Sequence, residues 1–200
     1  MPGDPIPRSV RTPRTVLSQA RWAARVQFLN LGFIAGVWGV HVPSLKAQYA
    51  LDERGLAGAL LAMSIGSVLT LTIAGRMVAA LGVRTTSVVA GWSFCLALGL
   101  TLVLPGFWAL LPVMLLFGAG ESVFDVAINA EGTTLETLSG RAVMSGFHGM
   151  FSLGAMVGAA AAAAMIRARL NTDAAGSRRR SGGDINRAGV TADACVAPRG

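Results

Sequence analysis

Charged residues are scarce in this sequence: Asp, Glu, Lys and Arg make up 14% of its 200 residues, whereas 53% are hydrophobic. They are also unevenly placed, because none occurs between Arg54 and Arg76. An uncharged apolar stretch of this length can cross the hydrocarbon core of a bilayer, which is ~30 Å thick. The scarcity of charge therefore excludes an ordinary soluble globule and predicts an integral membrane protein that contacts lipid.

Cysteine and histidine are rare, with two residues of each. Cys95 lies within an apolar run and Cys195 in a polar C-terminal segment, so we expect no structural disulfide, no metal site and no cofactor. Basic residues outnumber acidic ones by 17 to 10. They form no stripe interleaved with aromatic residues, and nucleic-acid binding is therefore not expected.

The apolar runs predict an all-α, polytopic bundle over residues 21–170, with spans at about 26–42, 55–75, 85–104, 107–128 and 142–166. Residues 1–20 and 171–200 have no hydrophobic period, and we expect them to be a disordered leader and tail. Pro43 is predicted to end the first helix, because the residue before a proline avoids the helical region. Asp52 is a predicted N-cap of the second helix.

The first apolar run could instead be a signal peptide, but no convincing cleavage site follows it. Basic residues favour a cytoplasmic N-terminus in a bacterial inner membrane, since most of those near the first four spans fall on one side. The arginines of residues 171–200 do not fit this orientation. In the fifth span, Gly154 and Gly158 are spaced for close helix packing.

Acidic residues within the fourth apolar run are the main polar feature of the spans. Glu121, Asp125 and Asn129 recur every fourth position and therefore share one face of a helix. A carboxylate inside a bilayer must face a wet cavity or a partner, which predicts the lining of a solute or ion path. The alternative is that Asp125 and Asn129 simply end a helix at the headgroups. Gln27 and Asn30 in the first span also require partners.

Three short segments carry a resemblance to a known family: SIGS at 64–67, VAINAEG at 126–132, and HG at 148–149 with SLG at 152–154. With them, residues 21–170 resemble the N-terminal part of a major facilitator superfamily (MFS) transporter, and are similar to poorly characterised bacterial inner-membrane members. The resemblance implies twelve spans in two six-helix halves that rock about a central site. This chain would supply five of those spans.

The resemblance implies secondary transport of a small solute with no bond-making chemistry; it leaves the coupling ion open, with protons as one candidate. Asn30, Glu121 and Asp125 would contact solute or proton, and His148 would relay protons unless it only hydrogen-bonds a neighbouring helix. A structural role in the inner loops is expected for six further residues: Gly75, Gly82, Arg84, Asn129, Glu131 and Arg141.

The sequence departs from the family pattern in three ways. Ala79 and Ala80 stand where the loop after the second span usually has an acid and a base, which puts its charge latch in doubt. Ala159, not proline, follows Gly158. An arginine-rich tail stands in place of the sixth span, so we expect a truncated or frame-shifted product that does not transport alone.

Two other function classes are open. A non-transporting membrane scaffold or assembly partner would self-associate through the small-residue faces of the helices. An intramembrane hydrolase would use Ser145, His148 and Ser152, although neither serine lies in a recognisable nucleophile turn.

Overall fold

The computed structural model describes residues 14–193, with side chains described for 15–169. This part of the chain consists of five α-helices and contains no strand. They are α1 (Arg14–Gln48), α2 (Glu53–Leu81), α3 (Val83–Leu100), α4 (Phe107–Ser139) and α5 (Met144–Asp193). The predicted all-α fold is confirmed.

Each of these five helices is long and apolar enough, by length and composition, to cross a membrane. The protein is therefore a multi-pass membrane protein. The predicted leader falls largely on residues 1–13, which lie outside the described residues, as do residues 194–200.

Residues up to Ala159 belong to one compact unit, and α5 from Ala160 onward belongs to a second one. Within the first unit, α4 packs against α1, α2 and α3. Its fully buried side chains include Leu110, Met114 and Ile128. Aromatic side chains complete the core, with the Phe117 ring of α4 centred 5.9 Å from that of Phe94 in α3.

Glycines allow the backbones of α1 and α5 to touch. A Cβ atom on Gly154 would overlap the carbonyl oxygen of Leu29, and one on Gly158 would overlap that of Phe33. The close packing predicted for this glycine pair is therefore confirmed. The partner surface on α1 has the same four-residue spacing, because Gly32 meets the backbone of Phe151 and Gly36 that of Ala155 in the same way. The spacing of Gly154 and Gly158 alone did not predict that α1 would be their partner.

The second close pair is α2 with α4. A Cβ atom on Gly66 would overlap the Leu115 carbonyl oxygen, and one on Gly118 would overlap that of Met63. Each helix thus places a glycine against a backbone carbonyl of the other. In a lipid environment, no hydrophobic driving force brings helices together, so their association depends on close packing. Small residues such as glycine permit that close approach.

The prediction that Pro43 ends the first helix is wrong, since α1 continues through it to Gln48. Membrane helices tolerate an internal proline where surrounding groups satisfy the freed backbone atoms. The extra turn ties α1 to the end of α3: the Tyr49 hydroxyl donates to the Thr101 carbonyl oxygen at 2.8 Å, and the Gln48 amide donates to that of Leu102 at 3.1 Å. By contrast, Asp52 is the N-cap of α2 as predicted, accepting from the Gly55 amide at 2.7 Å.

Helix α4 extends well beyond the predicted end of its apolar run near residue 128. It ends at Ser139, where Gly140 adopts the left-handed conformation (φ 61°) that commonly terminates helices. The apolar run marks only the lipid-like part of the helix, since backbone hydrogen bonds continue through Asn129 and Glu131. Helix α5 likewise runs to Asp193, and this helical backbone differs from the unstructured tail expected from residue 171.

Glu136 closes the turn between α4 and α5. One oxygen of its carboxylate accepts hydrogen bonds from the backbone amides of Val143 (2.8 Å) and Met144 (2.9 Å), at the start of α5. A carboxylate at this position satisfies amides that have no partner within the helix and complements the positive end of the helix dipole.

We expect Glu136→Ala to lower the free energy of unfolding, as for the loss of a helix cap. Glu136→Gln keeps an acceptor oxygen and should lose less. Thermal unfolding in detergent measures both, with Thr137→Ala, an exposed neighbour, as the control. A Glu136→Ala midpoint equal to that control would show that the cap has no energetic role.

Candidate functional site

The polar face of α4 is ordered by a hydrogen bond within the helix. The Asn129 side-chain amide donates to the Asp125 carboxylate at 2.9 Å and to the Asp125 backbone carbonyl at 2.9 Å. Both side chains are partly buried, as is that of Glu121 one turn away. Because α4 continues for more than three turns beyond Asp125, these residues do not end the helix.

His148 of α5 lies close enough to Asp125 for their charges to interact. Glu121, one turn away on the same helix, interacts with Asp125 by repulsion between the two carboxylates. The imidazole also meets the Phe28 ring of α1 edge-on, with centroids 5.5 Å apart, and it remains exposed on its other side. The structure thus brings together three of the four predicted path residues, from two helices.

Asn30 does not join this group. It is exposed and lines a separate cavity of 430 Å³ between α1 and α3, beside Ser87, Trp92 and Cys95. Neither carboxylate of α4 nor His148 lines that cavity. The role of Asn30 in contacting solute stays a prediction.

A second polar contact lies further along α4. The Gln27 side chain of α1 lies beside the Glu131 carboxylate. Gln27 and Glu131 line a 370 Å³ cavity together with Arg84 and Thr134. Gln27 is one of the two polar residues in the first span that required a partner, so its pattern signalled this contact. The carbonyl oxygen of its side chain, however, is buried without a hydrogen-bond partner among the described atoms.

The predicted inner-loop residues fall in different settings. Gly82, with φ 79°, separates α2 from α3 as expected, and Arg84 lies in the first turn of α3. Gly75 lies inside α2, while Arg141 is exposed in the connection between α4 and α5. Asn129 and Glu131 lie inside α4 instead of a loop, as described above. Sequence reasoning missed Glu136, because its carboxylate reaches the amides that it caps only through the turn between α4 and α5, and the course of that turn was not known.

The groups considered for other chemistry do not converge. The Ser152 hydroxyl donates to the backbone carbonyl of His148 at 3.2 Å and not to its ring. Ser145 is exposed, one turn earlier on the same helix. Among residues with described side chains, no group of three or more His, Cys, Asp or Glu is arranged to hold a metal ion.

Three curated proteins are similar in sequence. An uncharacterised MFS-type transporter of Yersinia pestis is 36% identical over 149 residues, covering 74% of this chain and 39% of that protein. An uncharacterised transporter of Sinorhizobium fredii is 30% identical with the same coverage. The predicted resemblance to part of an MFS transporter is confirmed. The chain spans about two fifths of the length of these MFS-type relatives.

The membrane protein MosC of Rhizobium meliloti, 29% identical over 136 residues, covers 68% of the chain and matches it over 33% of its own length. No family model matches the chain, and no solved structure does.

Proposed function

We propose that this chain forms part of a secondary transporter that moves a small solute across the bacterial inner membrane, coupled to protons. Relatives named as transporters support transport. The single observation that carries the coupling is that His148 on α5 lies near enough to Asp125 on α4 for their charges to interact. A carboxylate and an imidazole on two helices can exchange a proton and change their attraction as they do so.

In this proposal, Asp125 binds the transported proton and His148 passes it to or from the aqueous side. Asn129 holds the carboxylate in place through its 2.9 Å hydrogen bond. Glu121 adds a second negative charge one turn away. Because two neighbouring carboxylates repel each other, this charge favours the state in which one of the two carries a proton. Proton-driven uptake in sealed vesicles, with and without Asp125→Asn, is the direct test and is developed in the Discussion.

We further propose that the N-terminus is cytoplasmic, so that the connection between α1 and α2 is periplasmic. The positive residues near the spans support this orientation. Single cysteines at Arg54 and Leu138, in a chain whose Cys95 and Cys195 are replaced by alanine, test it. We expect a membrane-impermeant maleimide to label position 54 in intact cells and position 138 only in inverted vesicles. The reverse pattern would show the opposite orientation.

Self-association is also a proposal. Gly154 and Gly158 already pack against α1. A contact between copies would therefore use other small residues, such as those of the alanine run at 159–164.

A further inference from the structure

A continuous crevice runs along α3 on the side that faces α1. Three cavities form it, one of 370 Å³ bordered by Arg84, one of 430 Å³ bordered by Cys95 and one of 100 Å³ bordered by Leu98. Gln27 lines both the first and the second. Leu98 of the third cavity lies one helical turn beyond Cys95 of the second. Residues of α1 and of α3 line all three, so the crevice separates these two helices.

The crevice has the length of a membrane-spanning helix. Arg84, in the first turn of α3, borders one end, and Thr101, the residue that follows its last turn, borders the other. The helical rise between these two residues is about 26 Å, close to the ~30 Å thickness of the hydrocarbon core. The acyl chain of a lipid occupies one leaflet and reaches half of this distance, whereas a transmembrane helix fills it.

Trp92 borders the crevice at a depth that is unusual for a tryptophan facing lipid. It is the tenth of the 18 residues of α3 and lies near the middle of that helix, yet it is 75% exposed. Tryptophan is enriched instead at the two membrane surfaces, because its indole N–H requires a hydrogen-bond partner that hydrocarbon does not provide. Asn30 borders the same cavity and is also exposed. Among residues with described side chains, neither has a hydrogen-bond partner, so both favour a protein surface over lipid.

The polar groups of the crevice are complementary to those of a second copy. Arg84 and Glu131 border the same cavity with opposite charges, but within the described side chains they form no salt bridge. Two copies in one membrane share the same orientation, so a two-fold axis along the membrane normal leaves every group at its own depth. Arg84 of each copy then lies level with Glu131 of the other. In the same way, Trp92 of each copy lies level with Asn30 of the other.

We propose that two copies of this chain associate in parallel through the crevice. Each copy inserts the exposed ridge of α3, formed by Val88, Val89, Trp92 and Leu96, into the crevice of the other. The Arg84 guanidinium donates to the Glu131 carboxylate of the second copy, and the Trp92 indole donates to its Asn30 side chain. Polar contacts and close packing of this kind hold helices together in lipid. This contact is distinct from the alanine-run contact proposed above, and it depends neither on that contact nor on transport.

Charge reversal tests the pairing. Fluorescence energy transfer between copies labelled at Cys195, in a Cys95→Ala background, measures association in liposomes of phosphatidylethanolamine and phosphatidylglycerol, and dilution with lipid gives the affinity. Arg84→Glu and Glu131→Arg each create like charges at both symmetric contacts. Each should lower the affinity by about a hundredfold, a factor of ten for each lost charge-assisted bond. Arg76→Glu is the matched control and should associate normally, since Arg76 lies on α2 and does not border the crevice.

A mixture of the two variants distinguishes a contact between copies from a change within one copy. When an Arg84→Glu copy meets a Glu131→Arg copy, each position 84 again faces the opposite charge at position 131. We therefore expect energy transfer between the two differently labelled variants to return, although neither variant associates with itself. Circular dichroism establishes that each variant remains helical. A mixture that does not associate overturns the proposal.

Trp92→Ala tests the middle of the contact. We expect it to lower the affinity about tenfold or more, as for a tryptophan at the centre of an interface. Trp108→Ala should leave the affinity unchanged, since Trp108 is 81% exposed at the start of α4 and does not border the crevice. Association that persists in both charge variants overturns the proposal and favours the alanine run. A monomeric unmodified chain overturns it too, because lipid or a helix of another protein would then cover the crevice.

Discussion

Replacing Gly66 with alanine is expected to destabilise the folded bundle by ~3 kcal/mol or more, at or above the upper end of overpacking costs. The added Cβ would overlap the backbone carbonyl oxygen of Leu115. A backbone atom cannot rotate away as a side chain can, so α2 and α4 would have to separate. That separation would also open the reciprocal contact of Gly118 with Met63. A loss of this size is a large part of the ~5–15 kcal/mol that stabilises a typical protein.

Thermal unfolding of purified protein in detergent measures the effect. Gly75→Ala is the matched control, because Gly75 lies on the same helix and a Cβ there would meet no atom within 4 Å. The control should unfold at or slightly above the temperature of the unmodified protein, since alanine favours helix more than glycine does. Equal midpoints for the two variants would contradict the close contact of α2 with α4.

Asp125→Asn is expected to abolish proton-driven solute accumulation. Transport by rocking requires two bodies around a site, and the chain corresponds to 39% of its Yersinia pestis relative. The assay therefore uses a chimera in which the unmatched segment of that relative completes the chain. Asparagine has nearly the same shape as aspartate and can still bond Asn129, but it cannot bind a proton. Accumulation of the variant in sealed vesicles should fall to the level of empty vesicles.

The design of this assay separates coupling from solute binding. If Asp125 carries the proton, solute exchange without a gradient should persist in the variant, whereas a direct solute contact would remove it too. Glu53→Gln, which removes an exposed carboxylate from the start of α2, should transport normally. The 200-residue polypeptide alone should show no uptake. Full accumulation by Asp125→Asn would refute the proposed coupling, and saturable uptake by the polypeptide alone would show that these five helices suffice.

Local signals in the sequence predicted part of the fold well. Long uncharged runs identify spans because every unpaired charge in hydrocarbon costs energy. The Asp52 cap was predictable because its partner amide, that of Gly55, lies only three residues away. The shared face of Glu121, Asp125 and Asn129 was predictable for the same reason, since helical geometry alone sets it.

Features that depend on a second helix were not predictable. Gly154 and Gly158 signalled a close contact, but the spacing did not say that α1 would supply it. The end of α4 was misplaced because Glu131 reads as a loop residue until Gln27 is known to lie beside it. Pro43 was likewise taken to end the first helix. Whether a helix can continue through a proline depends on the groups packed around it, which the neighbouring residues in the sequence do not reveal.

The paired backbone contacts also bear on how the helices can move. Where a glycine lies directly against a carbonyl, as Gly66 does at Leu115 and Gly154 does at Leu29, a small slide would drive the oxygen into the next side chain. Sliding of packed helices, the shear type of motion, is therefore blocked within α1 with α5 and within α2 with α4. We expect each pair of helices to move as one rigid body. A change in the relative position of the two pairs would then take place by rotation about hinges at the ends of the helices.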